Sequence, residues 1–374
     1  MPLLPGKTPK PGLLRHLLRV CLPASLMLAV AFPVSASGQT RAEGDSMLVM
    51  VRALREGRPA SNAEVYRIIS KSLFHDGVEA QSIKIGRTGK NGSIPVPVKS
   101  LKGNIYDGGG IFALVPGRLA GFTRISRFSD PDSVIISMFP LRSVSGFVRD
   151  IEGKPVSGAE VSVWSLAGDG VSKYAVINPY GTLPGTFATS DSQGRFRLEG
   201  IPELSIISFK TTAPGYALLH SRDIPAGTDN LSVTLEPGSR ISGRVLTETG
   251  EPVKGIFLTA RERLNNPMSS GVDHCRAGET GVFTFEHLSA GMYIVYAETD
   301  STLRDWAPLP LENIGVGRGK SADGLEVRFV RGVPVTGTVT EEETGKPLKG
   351  VRVSAYYFIH NPSDRYNPAI YVPM

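Results

Sequence analysis

The chain has 374 residues, with 41 Lys and Arg against 35 Asp and Glu, a formal net charge of +6. Four of the basic residues, Lys7, Lys10, Arg15 and Arg19, fall in the first 38 positions, which hold no acidic residue, so the rest of the chain balances at 37 basic against 35 acidic. With no Lys/Arg block and no basic stripe carrying interleaved aromatics, the electrostatic footprint of a nucleic-acid binder is missing.

The first predicted element is a secretory signal peptide over residues 1–38. The four basic residues precede an apolar stretch at 21–34, and Ser35, Ala36, Ser37 and Gly38 follow it. A 14-residue apolar stretch suits the hydrophobic region of such a leader and falls short of a bilayer span, so cleavage near Ala36 is expected, with no membrane span in the mature chain. Arg19 and Val20 stand where a lipoprotein signal needs a small residue after an apolar run, which argues against lipidation at Cys21. Export to the periplasm, the cell surface or the exterior follows. Only Cys275 survives processing, and one thiol makes no internal disulfide, so hydrophobic cores must hold the mature protein.

Beyond the leader a strand, a Gly-x-Pro turn and a second strand are written almost four times. Copy one is degenerate and keeps Gly57, Arg58, Pro59, Ala60 and Val65; copy two has Gly153, Lys154, Pro155 and then Val161 and Val163; copies three and four have Gly250, Glu251, Pro252 and Gly345, Lys346, Pro347. The prolines stand 96, 97 and 95 residues apart, the size of one small domain rather than of a solenoid repeat. The glycine supplies the positive φ of a tight turn, and the proline fixes φ near −65° where the next strand begins. In the second half of each unit, residues two and four after a turn glycine are apolar: Ile94 and Val96, Phe196 and Leu198, Phe283 and Phe285. That is the period of a strand with one buried face. No long helical period occurs, and Gly and Pro (42 and 28) punctuate the chain at sandwich spacing. The expected fold is all-β, a tandem array of small antiparallel, Greek-key-like β-sandwiches. The expected boundaries are 44–141 for a degenerate first repeat, 142–237, 238–332, and an incomplete fourth repeat at 333–374.

These residues resemble the carboxypeptidase regulatory-like domain, a transthyretin-like sandwich found in tandem in exported bacterial proteins. The likeness rests on the opening strands and Gly-x-Pro turns, on Asp191, Gly194 and Phe196, on Leu288, Ala290, Gly291 and Tyr293, and on Ala213, Pro214, Gly215 and Tyr216. It departs at Pro202, Glu203, Leu204 and Ser205, where a Pro-Gly is usual, and in copy one. The resemblance implies an accessory module without catalysis, of a class often grouped with carbohydrate-binding-like folds.

The chemistry-bearing residues agree with a non-enzyme that needs no cofactor and no metal. None of His75, His220, His274, His287 and His360 belongs to a zinc-peptidase pair with an intervening glutamate. His274 and Cys275 are strand neighbours that point to opposite faces. Asp191 offers one carboxylate where calcium needs six to eight oxygens. An intramolecular isopeptide lock needs a first-strand lysine, and Arg149, Arg244 and Thr338 stand near that place.

Loops of differing content are expected after each second strand, at 70–86 with Phe74 and His75, at 166–187 with Tyr174 and Tyr180, at 262–278, and from 358 onward with Tyr366 and Tyr371. They are either tolerated insertions or a binding surface. Trp164 follows Val161 and Val163 and should face away from the core, either covered by Tyr174 or Tyr180 or open as a stacking platform for a sugar ring. Trp164, Tyr174 and Tyr180 are the candidate ligand-binding residues. The expected function is an exported, non-catalytic binding or spacer protein of the cell envelope. A polysaccharide or another envelope protein is the expected partner, and the fourth repeat could pair with another chain or a continuation. The alternatives are a dedicated carbohydrate-binding protein and the accessory region of a larger exported enzyme or transporter.

Overall fold

The computed structural model describes residues 26–31, 48–73, 77–97, 110–124, 133–168, 176–263, 272–297, 303, 305–333, 336–360 and 369–373. The described residues are all-β, in tandem two-sheet assemblies, as the strand periodicity requires.

Strand β1 (Leu26–Ala31) precedes the first assembly: β2 (Leu48–Arg55), β3 (Arg58–Pro59), β4 (Glu64–Leu73), β5 (Gly77–Arg87), β6 (Ser93–Pro97), β7 (Gly110–Val115), β8 (Leu119–Arg124) and β9 (Ser133–Ser137). One sheet has the order β3-β2-β6 with β9 also on β2, and the other runs β8-β7-β4-β5. The next strands are β10 (Phe139–Asp150), β11 (Glu160–Ala167), β12 (Val176–Ile177), β13 (Phe187–Thr189), β14 (Arg195–Pro202), β15 (Ile206–Thr212), β16 (Leu219–Pro225) and β17 (Leu231–Leu235). Here β10 lies between β14 and β17, opposite a sheet ordered β12-β11-β15-β16 with β13 also on β11. Then come β18 (Ser239–Thr247), β19 (Phe257–Glu262), β20 (Val272–Arg276), β21 (Val282–Leu288), β22 (Gly291–Ala297), β23 (Trp306–Leu309), β24 (Leu311–Val316) and β25 (Ser321–Arg331), in sheets β21-β18-β25-β23 and β20-β19-β22-β24. Finally β26 (Arg352–His360) lies between β1 and β27 (Ala369–Pro373). Because β1 falls within the expected leader, its removal would leave that edge of β26 open for another chain or a continuation.

The turn chemistry follows the residues that predicted it. Gly153, Gly250 and Gly345 have φ of 82°, 87° and 66°. Their prolines each close an isolated antiparallel bridge to a residue before the turn: Arg149 with Pro155, Leu246 with Pro252, Thr340 with Pro347. Asp191 Oδ1 accepts the amides of Gln193 and Arg195, both at 2.8 Å, which is an Asx-type turn and leaves that oxygen occupied. Phe196, Leu198, Phe283, Phe285 and Val96 are all buried.

The antiparallel sandwiches are as expected, with two additions and one correction to the loops. First, each sandwich also contains one parallel pair. β2 pairs β9, β10 pairs β17 and β18 pairs β25 in parallel, as with Val148 opposite Val233 and Val245 opposite Val327. A first and a last strand running side by side in one direction put the points where the chain enters and leaves a unit at opposite ends. Second, 70–86 is mostly not a loop, because β4 and β5 form one long hairpin with Ser70 opposite Ala80 and Leu73 opposite Gly77. The β-branched residues Ile68 and Ile69 on one arm and Val78, Ile83 and Ile85 on the other carry the strand propensity. Phe74 and His75 lie outside the described residues.

Third, the sheet β8-β7-β4 is buried on both faces. Ile111, Ala113, Leu119 and Val65 face the first assembly's own core, while Phe112, Leu114, Ala120, Phe122 and Ile68 join the core of the second. The runs Gly110-Ile-Phe-Ala-Leu and Leu119-Ala-Gly-Phe are continuous rather than alternating, the pattern of a strand covered on both sides.

The connections are short. Met138 alone separates β9 from β10, and the start of β10 pairs with β8 (Phe139 opposite Ala120), so the sheet of the first assembly runs on into the second. Three residues, 236–238, separate β17 from β18. Across that second junction Leu218 N donates to His287 O at 2.9 Å and Gly238 N to Gly215 O at 2.9 Å, and the Arg318 guanidinium holds Glu236 with both carboxylate oxygens.

Candidate functional site

Trp164 lies on the outer face of the second assembly, as alternation after Val163 requires, and a register defect accompanies it. Val161 and Val163 are fully buried and pair with Thr211 and Phe209, and the register then shifts between Val163 and Ser165. Trp164 sits in that bulge, Leu166 returns to the core opposite Ile207, and the indole is left on the outside. It is half-buried.

Its neighbour is His220, not a tyrosine. Ser162, Lys210 and His220 form one row across β11, β15 and β16, and the Trp164 and His220 rings meet with centroids 5.7 Å apart and planes inclined by 29°. A second register shift, between Ile207 and Phe209, together with a φ of 56° at Asp223, sets where β16 lies. His220 is held in its neutral form, with its pKa pulled down to about 4. Burial is the main cause, and the positive charges of Arg222 and Lys210 add to it.

The segment after β12 lies beside this face and also touches the first assembly. Gly181 N donates to Val163 O at 2.7 Å, and a Cβ on Gly181 would stand 2.9 Å from Ser162 Cβ. Tyr180 holds φ of 47°, which aims the chain at that contact. Thr182 Oγ1 lies 2.6 Å from Ser82 Oγ of β5, and Ile177 is fully buried against Gly110 of β7. Part of what read as a variable loop is thus a clamp between assemblies. Among the three candidate residues, Trp164 and Tyr180 belong to this region, and Tyr174 lies outside the described residues.

Sequence reasoning missed His220, Lys210 and Arg222. In the sequence His220 stands out only as a candidate zinc ligand, and no periodicity locates two bulges in adjacent strand pairs.

The other chemistry-bearing groups are occupied or quiet. Thr259 Oγ1 lies 2.9 Å from His274 Nδ1, and burial pushes the half-buried Cys275 thiol up to about 12. The described residues include no group of three or more His, Cys, Asp or Glu placed to hold a metal ion. They also include no helix long and apolar enough to cross a membrane. A cleft of about 380 Å³ opens between the first two assemblies, where Leu114, Pro116 and Gly117 meet Arg142, Gly185 and Glu199. Arg142 there is held by Glu203, its Nε at 3.0 Å from Oε1.

No protein-family model and no curated protein matches the chain. Among solved structures it is similar to a streptococcal ancillary pilin at 11% identity, covering 76% of this chain and 99% of that one with a TM-score of 0.24. It is similar to the minor pilin GBS52 of Streptococcus agalactiae at 12% identity, covering 54% and 100% with a TM-score of 0.24. It is also similar to the Bacillus anthracis TIE protein at 11% identity, covering 84% and 66% with a TM-score of 0.21. Superposition that loose carries no statement about what this chain does.

Proposed function

We propose that this chain is an exported, non-catalytic spacer that holds binding faces at fixed positions in the cell envelope, built of carboxypeptidase regulatory-like domains bounded at 44–141, 142–237 and 238–332, with part of a fourth. The observation that carries the spacer reading is the construction of the junctions. A one-residue connection lies over a shared apolar core, a three-residue connection is tied by main-chain hydrogen bonds, and parallel pairing of first and last strands passes the chain from one end of each unit to the other. An interface that buries whole aromatic side chains resists the relative motion that is the default between domains in one chain. Export rests on the leader residues, and the binding face rests on Trp164 with Tyr180, and on Tyr174 from the same loop.

Small-angle scattering of the mature chain tests the spacer reading. A single rigid conformer should fit the data, and inserting a Gly/Ser linker after Pro237 should raise the maximum dimension and add flexibility. An unaltered chain that already scatters as freely jointed beads would refute it. Mass spectrometry of the secreted protein should place its new N-terminus at about positions 37–39, and an intact Met1 in the cytoplasm would refute export.

A further inference from the structure

We infer that the outer face of β11, β15 and β16 binds an acidic sugar, a uronate unit of a polysaccharide, with its ring on Trp164 and its carboxylate on Lys210 and Arg222. This rests on the reading of that face as a binding surface.

The first observation is what Trp164 shows to solvent. The residue is half-buried while Nε1, its one polar side-chain atom, is fully buried without a hydrogen-bond partner, so its exposed part is ring carbon. His220 repeats the arrangement beside it, half-buried with Nδ1 fully buried and unpartnered. Ser162 Oγ in the same row, and Asn178 Oδ1 just after β12, are also buried without a partner. These polar atoms lie beneath the surface, so what the face offers a ligand directly is the ring carbon of Trp164.

The second observation is charge. Lys210 is half-buried and Arg222 exposed, and neither forms an ion pair among the described residues, in contrast to Arg142, Arg197, Arg240 and Arg318. Lys210 pairs directly with His220, and Arg222 stands two residues beyond His220 on β16, so strand alternation puts both on the face of the ring pair. Exposed ring carbon next to two unanswered cations has a specific chemical complement. A pyranose lays its C–H face on an indole, its hydroxyls reach polar atoms or bridging waters at the rim, and a carboxylate on the ring meets the cations. A neutral sugar leaves Lys210 and Arg222 unanswered, and an acidic peptide leaves the indole carbon unused.

The test uses the mature chain and polygalacturonate, with two control polymers: fully methyl-esterified polygalacturonate, which keeps the ring and loses the charge, and poly-L-glutamate, which keeps the charge and loses the ring. Affinity electrophoresis should show retardation by polygalacturonate, weakened at least about tenfold for the ester and for the Lys210→Gln/Arg222→Gln variant. Trp164→Ala should lose binding, and Trp164→Phe, which keeps an aromatic ring, should retain most of it, so that a folding defect is separated from loss of the platform. Equal retardation by the ester, undiminished in Lys210→Gln/Arg222→Gln, would overturn the acidic specificity and leave a sugar-binding face. Equal retardation by poly-L-glutamate that survives Trp164→Ala would reduce the interaction to charge and overturn the inference. No retardation of the wild-type chain by any polymer would overturn the binding face and the inference together.

Discussion

If the first two assemblies share one core, a residue at their seam should be energetically coupled to the residue it meets on the other side. Ile177 and Gly110 are that pair. Ile177 is fully buried, and a Cβ on Gly110 would stand 2.5 Å from Ile177 Cγ2 and 2.5 Å from Thr123 O. Ile177→Ala removes three buried carbons, about 2.5 kcal/mol of transfer free energy at about 0.8 kcal/mol each. The cavity left between two sheets that cannot both collapse brings the loss to about 3–4 kcal/mol. Gly110→Ala is an overpacking change and should cost about 1–3 kcal/mol. In the double variant the new methyl enters space that Ile177 has vacated, while its clash with the Thr123 carbonyl persists. Partial rescue is therefore expected, with the two losses falling short of additivity by at least about 0.5 kcal/mol. Urea unfolding followed by tryptophan fluorescence reads this out, since Trp164 reports the second assembly and Trp306 the third. The Trp306 transition should stay where it is in the wild-type chain. Additive losses, or an Ile177→Ala cost under about 1 kcal/mol, would refute a shared core.

Acid should act in two stages. His220 has its pKa held near 4 against an ordinary 6.5, so between those values the unfolded chain takes up a proton that the folded one refuses, and stability falls as pH drops from 6.5 to 4. Glu64 is buried, with its pKa held at about 2 by hydrogen bonds from Lys84, Tyr66 and Arg87; its contribution is complete above 4.5 and is lost as pH falls from there to about 2. His220→Phe should flatten the upper stage and Glu64→Gln the lower, and a variant that leaves its own stage unchanged in a pH series of urea midpoints would contradict that assignment. Cys275, with its thiol near 12 against an ordinary 9, should alkylate at pH 8 about a thousandfold more slowly in the folded protein than in urea. Equal rates would mean the thiol is not buried as described.

The sequence carried the local rules of this fold and little of its assembly. Turn glycines, the Asx turn at Asp191 and the buried faces of β14 and β21 are all short-range consequences of one or two residues, and they are readable because positive φ and a period of two leave a direct mark. Parallel pairing of β10 with β17 joins residues more than eighty positions apart and leaves no periodic trace. The shared core did leave a trace, in the unbroken apolar runs of β7 and β8, but two-sided burial is easy to pass over when every other strand alternates. The candidate site was half legible for the same reason. Trp164 stands out by residue type and by its place after two core valines, whereas Lys210 and His220 become its neighbours only through strand register. Arg222 follows from a further irregularity at Asp223.

The two junctions resist bending by different physics. At the first, displacement would expose Phe112, Leu114, Phe122 and Ile177 together, so the loss grows with area and the pair of assemblies should fold and unfold as one body. At the second, the contacts include main-chain hydrogen bonds, His287 Nδ1 at 3.1 Å from Tyr216 O, and the exposed Arg318–Glu236 pair, which water can replace at little net cost. Orientation there is instead imposed by crowding. Gly238 has Tyr216 and Glu286 backbone atoms within 3.0–3.1 Å of where a Cβ would stand, and Gly319 would touch Pro237 at 3.2 Å. A three-residue connection threaded through backbone that close has few alternative paths, so the third assembly is held in direction more firmly than its interface energy alone would hold it. Stiffness of that kind costs no apolar surface, which leaves the outer faces of the sheets, that of β11, β15 and β16 among them, free to differ from unit to unit.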